Sequence, residues 1–150
     1  MRGKTECTNY IKLEFPSKSA NEHFARAAVA AFAAQLDPTM DELGDIKTAV
    51  SEAVTNCIVH GYPDEIGKIE LAVRVFEGGR VKVKISDRGC GIEDIEKAMQ
   101  PLFTTKPDED RAGLGFAVME SFMDKIKVTS KLGKGTTVVL EKTVGARRRI

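Results

Sequence analysis

Two side chains that could act on a phosphate group lie four residues apart in a segment that is otherwise largely apolar. Glu52 and Asn56 both occur in the stretch "SEAVTNCIVHGY", and a spacing of four places two side chains on one face of a helix. The amide oxygen of Asn56 suits Mg²⁺, which prefers oxygen ligands. The carboxylate of Glu52 could polarise a hydroxyl group or water for attack on a γ-phosphate. The alternative is that Glu52 faces water and Asn56 satisfies a loop backbone.

Two glycine-rich stretches could supply the rest of a nucleotide pocket. In "DRGCG", Asp87 ends a predicted strand, and its carboxylate could accept a hydrogen bond from the amino group of adenine. Gly89 and Gly91 would let the backbone approach a flat ring without a Cβ atom in the way. In "GLG", Gly113 to Gly115 opens a predicted helix whose free N–H groups favour an anion. The sequence has no P-loop motif and no complete Rossmann motif, so neither of those nucleotide sites is present.

Hydrophobic periodicity predicts the elements that must position these residues. Alternating apolar residues predict strands at 10–15, 69–75, 81–85, 126–128 and 138–140. Helices are predicted at about 20–36, 40–60 and 114–123, with a short helical piece near 92–99. Capping boxes, Ser19 with Glu22 and Thr39 with Glu42, should start the first two helices. This order predicts an α+β sandwich, with helices covering one face of a sheet rich in antiparallel pairs.

The first predicted helix has an unusual composition. It is apolar on nearly every side, and Arg26 is its main charge. A helix of this kind is buried on more than one side. Two interpretations stay open: the helix belongs to the core, or its alanines let a second subunit approach closely.

Composition and charge restrict the classes of protein to consider. The chain has 150 residues, of which 42% are hydrophobic and 30% charged. This predicts one globular domain over 1–150, with a core at about 10–142 and a short basic tail at 143–150. The net charge of +1 argues against direct nucleic-acid binding through bulk charge. The longest uncharged apolar run, 27–36, is shorter than the ~20 residues of a membrane span.

Cysteine and histidine usage points to a cytoplasmic protein without a zinc site. Cys7, Cys57 and Cys90 form no CxxC pair, and the first dozen residues are polar, so reduced thiols and no signal peptide are expected. Only His23 and His60 could serve as imidazole ligands. His60 could touch a nucleotide, although capping its helix is the simpler role. Cys57 and Cys90 could be thiols near the pocket or small buried hydrophobic side chains.

Four segments, "EAVTNCIVHGY", "DRGCGI", "PLFTTK" and "RAGLGF", resemble in this order the GHKL superfamily of ATP-binding proteins. That superfamily includes gyrase, Hsp90, histidine kinases and MutL. The chain is most similar to its small serine-kinase branch, and the resemblance covers about residues 10–142. It implies a Bergerat-type two-layer sandwich, with a mixed, mostly antiparallel sheet and helices on one face.

The same resemblance implies a site for ATP or ADP with Mg²⁺. It makes Asn56 the metal ligand and Glu52 the catalytic base. It assigns the binding of adenine to Asp87, with Gly89 and Gly91 shaping the wall of the pocket around the adenine ring. The other cofactor-binding residues that it implies are Thr104, Thr105, Lys106 and Arg111 in a lid over 101–111, Gly113, Leu114, Gly115 and Phe116 around the phosphates, and Thr136 near adenine.

Partners are also implied by the resemblance. Members of this branch form homodimers, bind a sigma factor of sporulating bacteria, and phosphorylate a serine of an anti-anti-sigma antagonist. Arg26 matches a partner-contacting arginine, and it fits a solvated helix charge equally well. Two alternative functions are a histidine-kinase catalytic domain, for which His23 is the sole candidate phosphoacceptor, and a non-catalytic module that binds partners when ATP orders its lid.

Overall fold

The computed structural model describes residues 6–99 and 115–145, and its elements follow the predicted order. Over these residues the strands are β1 (Cys7–Pro16), β2 (Lys68–Phe76), β3 (Arg80–Asp87), β4 (Lys125–Lys131) and β5 (Gly135–Thr143). The α-helices are α1 (Ser19–Ala33), α2 (Met40–Asn56), α3 (Ile95–Ala98) and α4 (Phe116–Phe122). A 3₁₀ turn, Ala34–Leu36, follows α1, and a π-helical turn, Cys57–Gly61, follows α2.

The strands form one sheet in the order β1-β2-β3-β5-β4. Apolar side chains such as Val73 and Val83 are fully buried on one face, whereas Arg74 and Lys84 are exposed on the other. This alternation follows the period of two along each strand. The predicted α+β sandwich is therefore confirmed.

The expectation of a mixed sheet needs a correction. Every strand pairing among the described residues is antiparallel. The sheet is built from two hairpins, β2–β3 and β4–β5. Strand β1 pairs antiparallel with β2, and β5 pairs antiparallel with β3.

The long helix α2 begins as its sequence predicts. Thr39 accepts a hydrogen bond from the backbone N–H of Glu42, and the carboxylate of Glu42 accepts one from the N–H of Thr39. This capping box satisfies two of the free donors at the start of the helix. Along its length Ile46, Val50 and Val54 are fully buried, so α2 presents an apolar stripe to the core.

The predicted capping box of α1 is wrong. Lys18 occupies the N-cap position, and no side chain caps the helix there. Glu22 instead accepts a hydrogen bond from the hydroxyl of Ser51 on α2 and lies 3.5 Å from Arg26. A tertiary contact between the two helices thus takes the place of the predicted local one.

The end of α2 is held by a turn that the sequence pattern does not specify. The π-helical turn ends at Gly61, and the N–H of Tyr62 donates to the carbonyl of Cys57 over 2.9 Å. The hydroxyl of Tyr62 donates to the carbonyl of Lys68 and accepts from the N–H of Arg88. These bonds fix the end of α2 against the starts of β2 and the loop after β3. Single-turn π segments of this kind are frequent at functional sites.

Helix α1 is buried on one side by the rest of the chain. Ala25, Val29 and Ala33 are fully buried, while Phe24 on the opposite side is 60% exposed. The core interpretation is therefore correct for one face, and the outer face leaves an aromatic side chain available to a second surface. Among the described residues, no helix combines the length and apolarity that crossing a membrane would require.

Candidate functional site

A cavity of about 700 Å³ opens between the end of α2, the adjoining ends of β3 and β5, and the helices α3 and α4. A volume of this size is in the range of sites for nucleotide-sized ligands. Its walls are mainly apolar with a few polar groups. The described lining residues include Asn56, Cys57, His60, Asp87, Cys90, Gly91, Ile92, Phe116, Leu132, Thr136 and Val138.

Asn56 and Glu52 approach the cavity from the last turns of α2. Asn56 is 9% exposed and lines the wall, and its side-chain oxygen is buried. Glu52 lies one helical turn earlier on the same face. Gly115, which precedes α4, packs directly on Glu52, so that a Cβ atom there would overlap the Glu52 carboxylate. Gly115 also has a φ of 75°, a conformation that other residues rarely adopt.

Asp87 also lines the cavity, from the last position of β3. Its side chain is 8% exposed, and Oδ1 accepts a hydrogen bond of 2.9 Å from the N–H of Gly89. The thiol of Cys57 and the backbone N–H of Thr136 also donate to the carboxylate. Three donors therefore hold the carboxylate in one orientation beside the cavity.

Two glycines allow the backbone to pack closely around Asp87. A Cβ atom on Gly61 would lie 2.9 Å from Oδ2 of Asp87, and one on Gly89 would overlap the carbonyl of Gly61. The N–H of Cys90 donates to that same carbonyl over 2.9 Å. The turn after α2 and the loop after β3 are therefore in direct backbone contact, which brings Asn56 and Asp87 to one cavity.

Thr136 faces the cavity from β5, where it is the register partner of Asp87. Its hydroxyl lies 2.8 Å from the hydroxyl of Ser130. Ser130 uses its one hydrogen on the carbonyl of Gly135, so Thr136 must donate to Ser130. The oxygen of Thr136 then keeps acceptor capacity toward the cavity.

The two ionisable groups at this wall have shifted pKa values. Burial raises the pKa of Asp87 above its ordinary value, although the donors from Gly89, Cys57 and Thr136 partly offset this. Burial also raises the pKa of the Cys57 thiol well above its ordinary value, and the negative charge of Asp87 adds to that effect. Cys57 is therefore a neutral thiol that donates a hydrogen bond, and not a thiolate nucleophile.

The raised pKa of Asp87 predicts a pH-dependent contribution to stability. The folded chain holds this proton more tightly than the unfolded chain, whose value is near 3.8. The contribution of Asp87 to the free energy of unfolding is therefore largest below that pH and falls as the pH rises through the folded-state pKa. Urea unfolding from about pH 4 to 8 should show the wild type losing stability relative to Asp87→Asn as the pH rises. A difference that stays constant with pH would contradict this.

The structure brings many of the predicted site residues together. Asn56, Asp87, Gly91, Phe116 and Thr136 all line the cavity. Glu52 and Gly115 contact each other beside it, and Gly89 packs behind Asp87. Their functional roles stay predictions. The remaining predicted residues, Thr104, Thr105, Lys106, Arg111, Gly113 and Leu114, lie outside the described part of the chain.

Arg26 does not lie at this cavity. It is on α1, where it contacts Glu22 at 3.5 Å and the ring nitrogen Nδ1 of His23 at 3.0 Å. It is thus a partly exposed helix charge with local partners, and its predicted contact with another protein stays a prediction.

Three further residues support the site, and sequence analysis considered only one of them, Cys57, as a thiol near the pocket or as a small buried hydrophobic side chain. Cys57 donates to Asp87, Ser130 fixes the hydroxyl of Thr136, and Tyr62 ties the end of α2 to the loop after β3. Cys57 follows Asn56 directly, which was the one available signal. The other two act through hydrogen bonds between distant segments, which a single sequence does not reveal.

Comparison with known proteins identifies the family. A family model described as a histidine kinase-like ATPase domain matches residues 15–142. An anti-sigma F factor of Thermoanaerobacter sp. (strain X514) is 59% identical over 141 residues, which cover 94% of this chain and 98% of the relative. The chain belongs to the anti-sigma F factor family. Another member, from Clostridium acetobutylicum, is 53% identical over 134 residues, covering 89% of this chain and 93% of the relative.

Solved structures share the fold of this anti-sigma F factor family member. The RsbU and RsbW domains of a Mycobacterium tuberculosis protein match with a TM-score of 0.67 at 21% identity, over 91% of this chain and 33% of that one. The catalytic domain of the histidine kinase ThkA matches with a TM-score of 0.58 at 16% identity, over 95% of this chain and 100% of that one. At these identities the likeness establishes the fold, and the predicted GHKL-type architecture is confirmed.

Proposed function

We propose that this chain binds a sporulation sigma factor and uses Mg-ATP to phosphorylate a serine of an anti-anti-sigma antagonist. The supporting observation is that Asn56 and Asp87, from separate parts of the chain, line one cavity while Glu52 lies one turn from Asn56. The ATPase-type family match supports the nucleotide. The name of relatives that are 59% identical supports the sigma factor.

The Asp87 wall of the cavity is proposed to bind adenine. The carboxylate of Asp87 would accept a hydrogen bond from the exocyclic amino group, and the oxygen of Thr136 offers a second acceptor nearby. Apolar side chains such as Ile92 and Val138 line the same cavity and suit the faces of a flat ring. Guanine would present a carbonyl oxygen to Asp87 in place of the amino group, so adenine nucleotides should be selected.

The Asn56 wall is proposed to bind the phosphates. Mg²⁺ in nucleotide sites is commonly held by one or two protein groups together with substrate phosphates, and the amide oxygen of Asn56 at the wall fits that arrangement. When bound, the ion would neutralise charge on the transferred phosphate. The residues proposed to complete this end are Thr104, Thr105, Lys106, Arg111, Gly113 and Leu114, by family resemblance.

Glu52 is proposed to act as the general base. Its carboxylate would take the proton from the hydroxyl of the antagonist's serine as that oxygen attacks the γ-phosphorus, with ADP as the leaving group. Position supports this assignment, because Glu52 shares a helix face with Asn56 and packs against Gly115.

The outer face of α1 is proposed as the surface for partners and for a homodimer. Phe24 is 60% exposed there, beside small exposed residues such as Ala27 and Ala31. Arg26 lies on the same helix and is oriented by Glu22, which also contacts Ser51 on α2. Ser51 is the neighbour of Glu52, so the proposed partner surface and the proposed base are joined through one carboxylate.

A phosphate-transfer experiment tests the proposal. The chain is incubated with labelled ATP, Mg²⁺ and an antagonist protein of a related bacterium, and mass spectrometry then locates the phosphate. We expect phosphoserine on the antagonist, and none when Asn56 is replaced by Ala. Phosphohistidine on this chain would instead support a histidine kinase, and binding of ATP without any transfer would support a non-catalytic module.

A further inference from the structure

The sheet face turned away from the helices is strongly basic. Nine of its side chains are lysine or arginine and three are glutamate, a net charge of +6. The whole chain has a net charge of only +1, so the remainder is acidic and the positive charge is concentrated on this face. The basic residues are Lys12, Lys68, Arg74, Arg80, Lys82, Lys84, Lys125, Lys127 and Lys131.

Strand register arranges part of this charge in a row. Lys12 pairs with Ala72, Ala72 with Lys84, Lys84 with Val139, and Val139 with Lys127. Three lysines therefore alternate with two small apolar residues across all five strands. Adjacent strands are about 4.8 Å apart, so the Cα atoms of successive lysines in this row are about 10 Å apart. No acidic residue interrupts the row.

The glutamates of this face neutralise only part of its charge. Lys68 lies 3.8 Å from Glu14 and 3.7 Å from Glu70, and Arg80 and Lys82 both pair with Glu141. Six basic side chains make no ion pair with any described residue, and all six are exposed. They are Lys12, Arg74, Lys84, Lys125, Lys127 and Lys131.

A shallow depression of about 310 Å³ lies within the row. Ala72 forms its floor, and Lys12 and Lys84 border it on the two neighbouring strands. Glu14 and Glu70, which face each other in the register, border its other side. Lys68 pairs with both of these carboxylates, which offsets the repulsion expected of like charges placed directly opposite each other on a sheet.

We propose that this basic sheet face docks an acidic helix of a partner protein. Successive carboxylates seven residues apart on a helix are separated by about 10.5 Å, which matches the lysine row, whereas neighbouring same-face residues of a strand are about 6.8 Å apart. Ala72 and Val139 would let the helix approach closely between the lysines.

The glutamates disfavour a nucleic acid as the occupant. A phosphate backbone carries uniform negative charge, and it would meet Glu14, Glu70 and Glu141 on the same face. Single-stranded nucleic acid also needs aromatic side chains for stacking, and the exposed aromatic residue described on this face is Tyr10 at its edge. A protein helix can place basic residues of its own opposite the glutamates.

Two designed peptides of about 21 residues and identical composition test the proposal. One places glutamates at seven-residue intervals along one helical face, and the other distributes them around the helix. Fluorescence anisotropy without nucleotide should show the first peptide binding at least about tenfold more tightly, with weaker binding at high salt. Because no nucleotide is present, the result is independent of the proposed kinase activity.

Matched variants locate the binding surface. Lys12→Glu/Lys84→Glu should lower the affinity for the first peptide by at least about tenfold, while Lys18→Glu/Lys47→Glu, the same change of charge at exposed sites away from the sheet face, should keep it within about twofold. The neutral pair Lys12→Gln/Lys84→Gln repeats the test if the reversal impairs folding. Equal affinity for both peptides, no binding of either, or tighter binding of an oligonucleotide or a phosphatidylserine vesicle would overturn the proposal.

Discussion

Replacing Glu52 by Gln should leave ATP binding within about twofold and slow phosphate transfer to the antagonist by about 10²–10⁴-fold. Glutamine has nearly the same shape as glutamate, so its contact with Gly115 can persist. It cannot accept the serine proton, so only the chemical step should suffer. Calorimetry with ATP and single-turnover transfer under saturating ATP measure the two effects separately.

A carboxylate elsewhere in the cavity provides the control for this variant. Glu93 also lines the cavity, and Glu93→Gln makes the same chemical change without touching the end of α2. We expect its transfer rate to stay within about threefold of the wild type, because it has no role in taking the serine proton. If Glu52→Gln transfers phosphate as fast as Glu93→Gln does, Glu52 is not the base.

The strands and long helices could be predicted because their signals are local. Alternation of apolar residues such as Val81 and Val83 fixes a half-buried strand, and Thr39 with Glu42 fixes the start of α2. The same local rule failed at Ser19 and Glu22, since Glu22 contacts α2 instead of the backbone of its own helix. Tertiary competition for one carboxylate is not visible in a spacing.

The candidate site was predictable as a set of residues but not as a geometry. Glu52, Asn56 and Asp87 could be selected by their chemistry and setting. Their convergence depends on Gly61 and Gly89, whose backbones touch in the fold. A contact between two segments that are distant in sequence leaves no periodic signal.

Strand order limits what can be inferred about the outer sheet face. Each strand by itself shows a polar face, as expected for a sheet covered on one side. The row from Lys12 through Lys84 to Lys127 exists only because β5 lies between β3 and β4. That insertion is a property of the whole sheet, so the concentration of charge emerges from topology and not from composition.

Replacing Asp87 by Asn should weaken ATP binding by about 10–100-fold, which corresponds to the loss of a charged hydrogen bond worth about 1.5–3 kcal/mol. The N–H of Gly89 and the thiol of Cys57 already donate to this carboxylate. An amide offers one acceptor oxygen in place of two, so its NH₂ group must face either these donors or the adenine amino group. Both arrangements place donor against donor.

Selectivity separates loss of adenine recognition from general damage. Because Asp87→Asn changes the contact with the adenine ring, calorimetry should show that the affinities for ATP and ADP fall by the same factor. The affinity for GTP should not fall, because the carbonyl oxygen of guanine no longer meets a carboxylate. Asp94→Asn is the matched control in the same cavity, because asparagine can still cap α3 through the bond that Asp94 makes to the N–H of Lys97. If Asp87→Asn and Asp94→Asn bind ATP equally well, Asp87 does not bind the adenine ring, and the cavity must hold its ligand in another orientation.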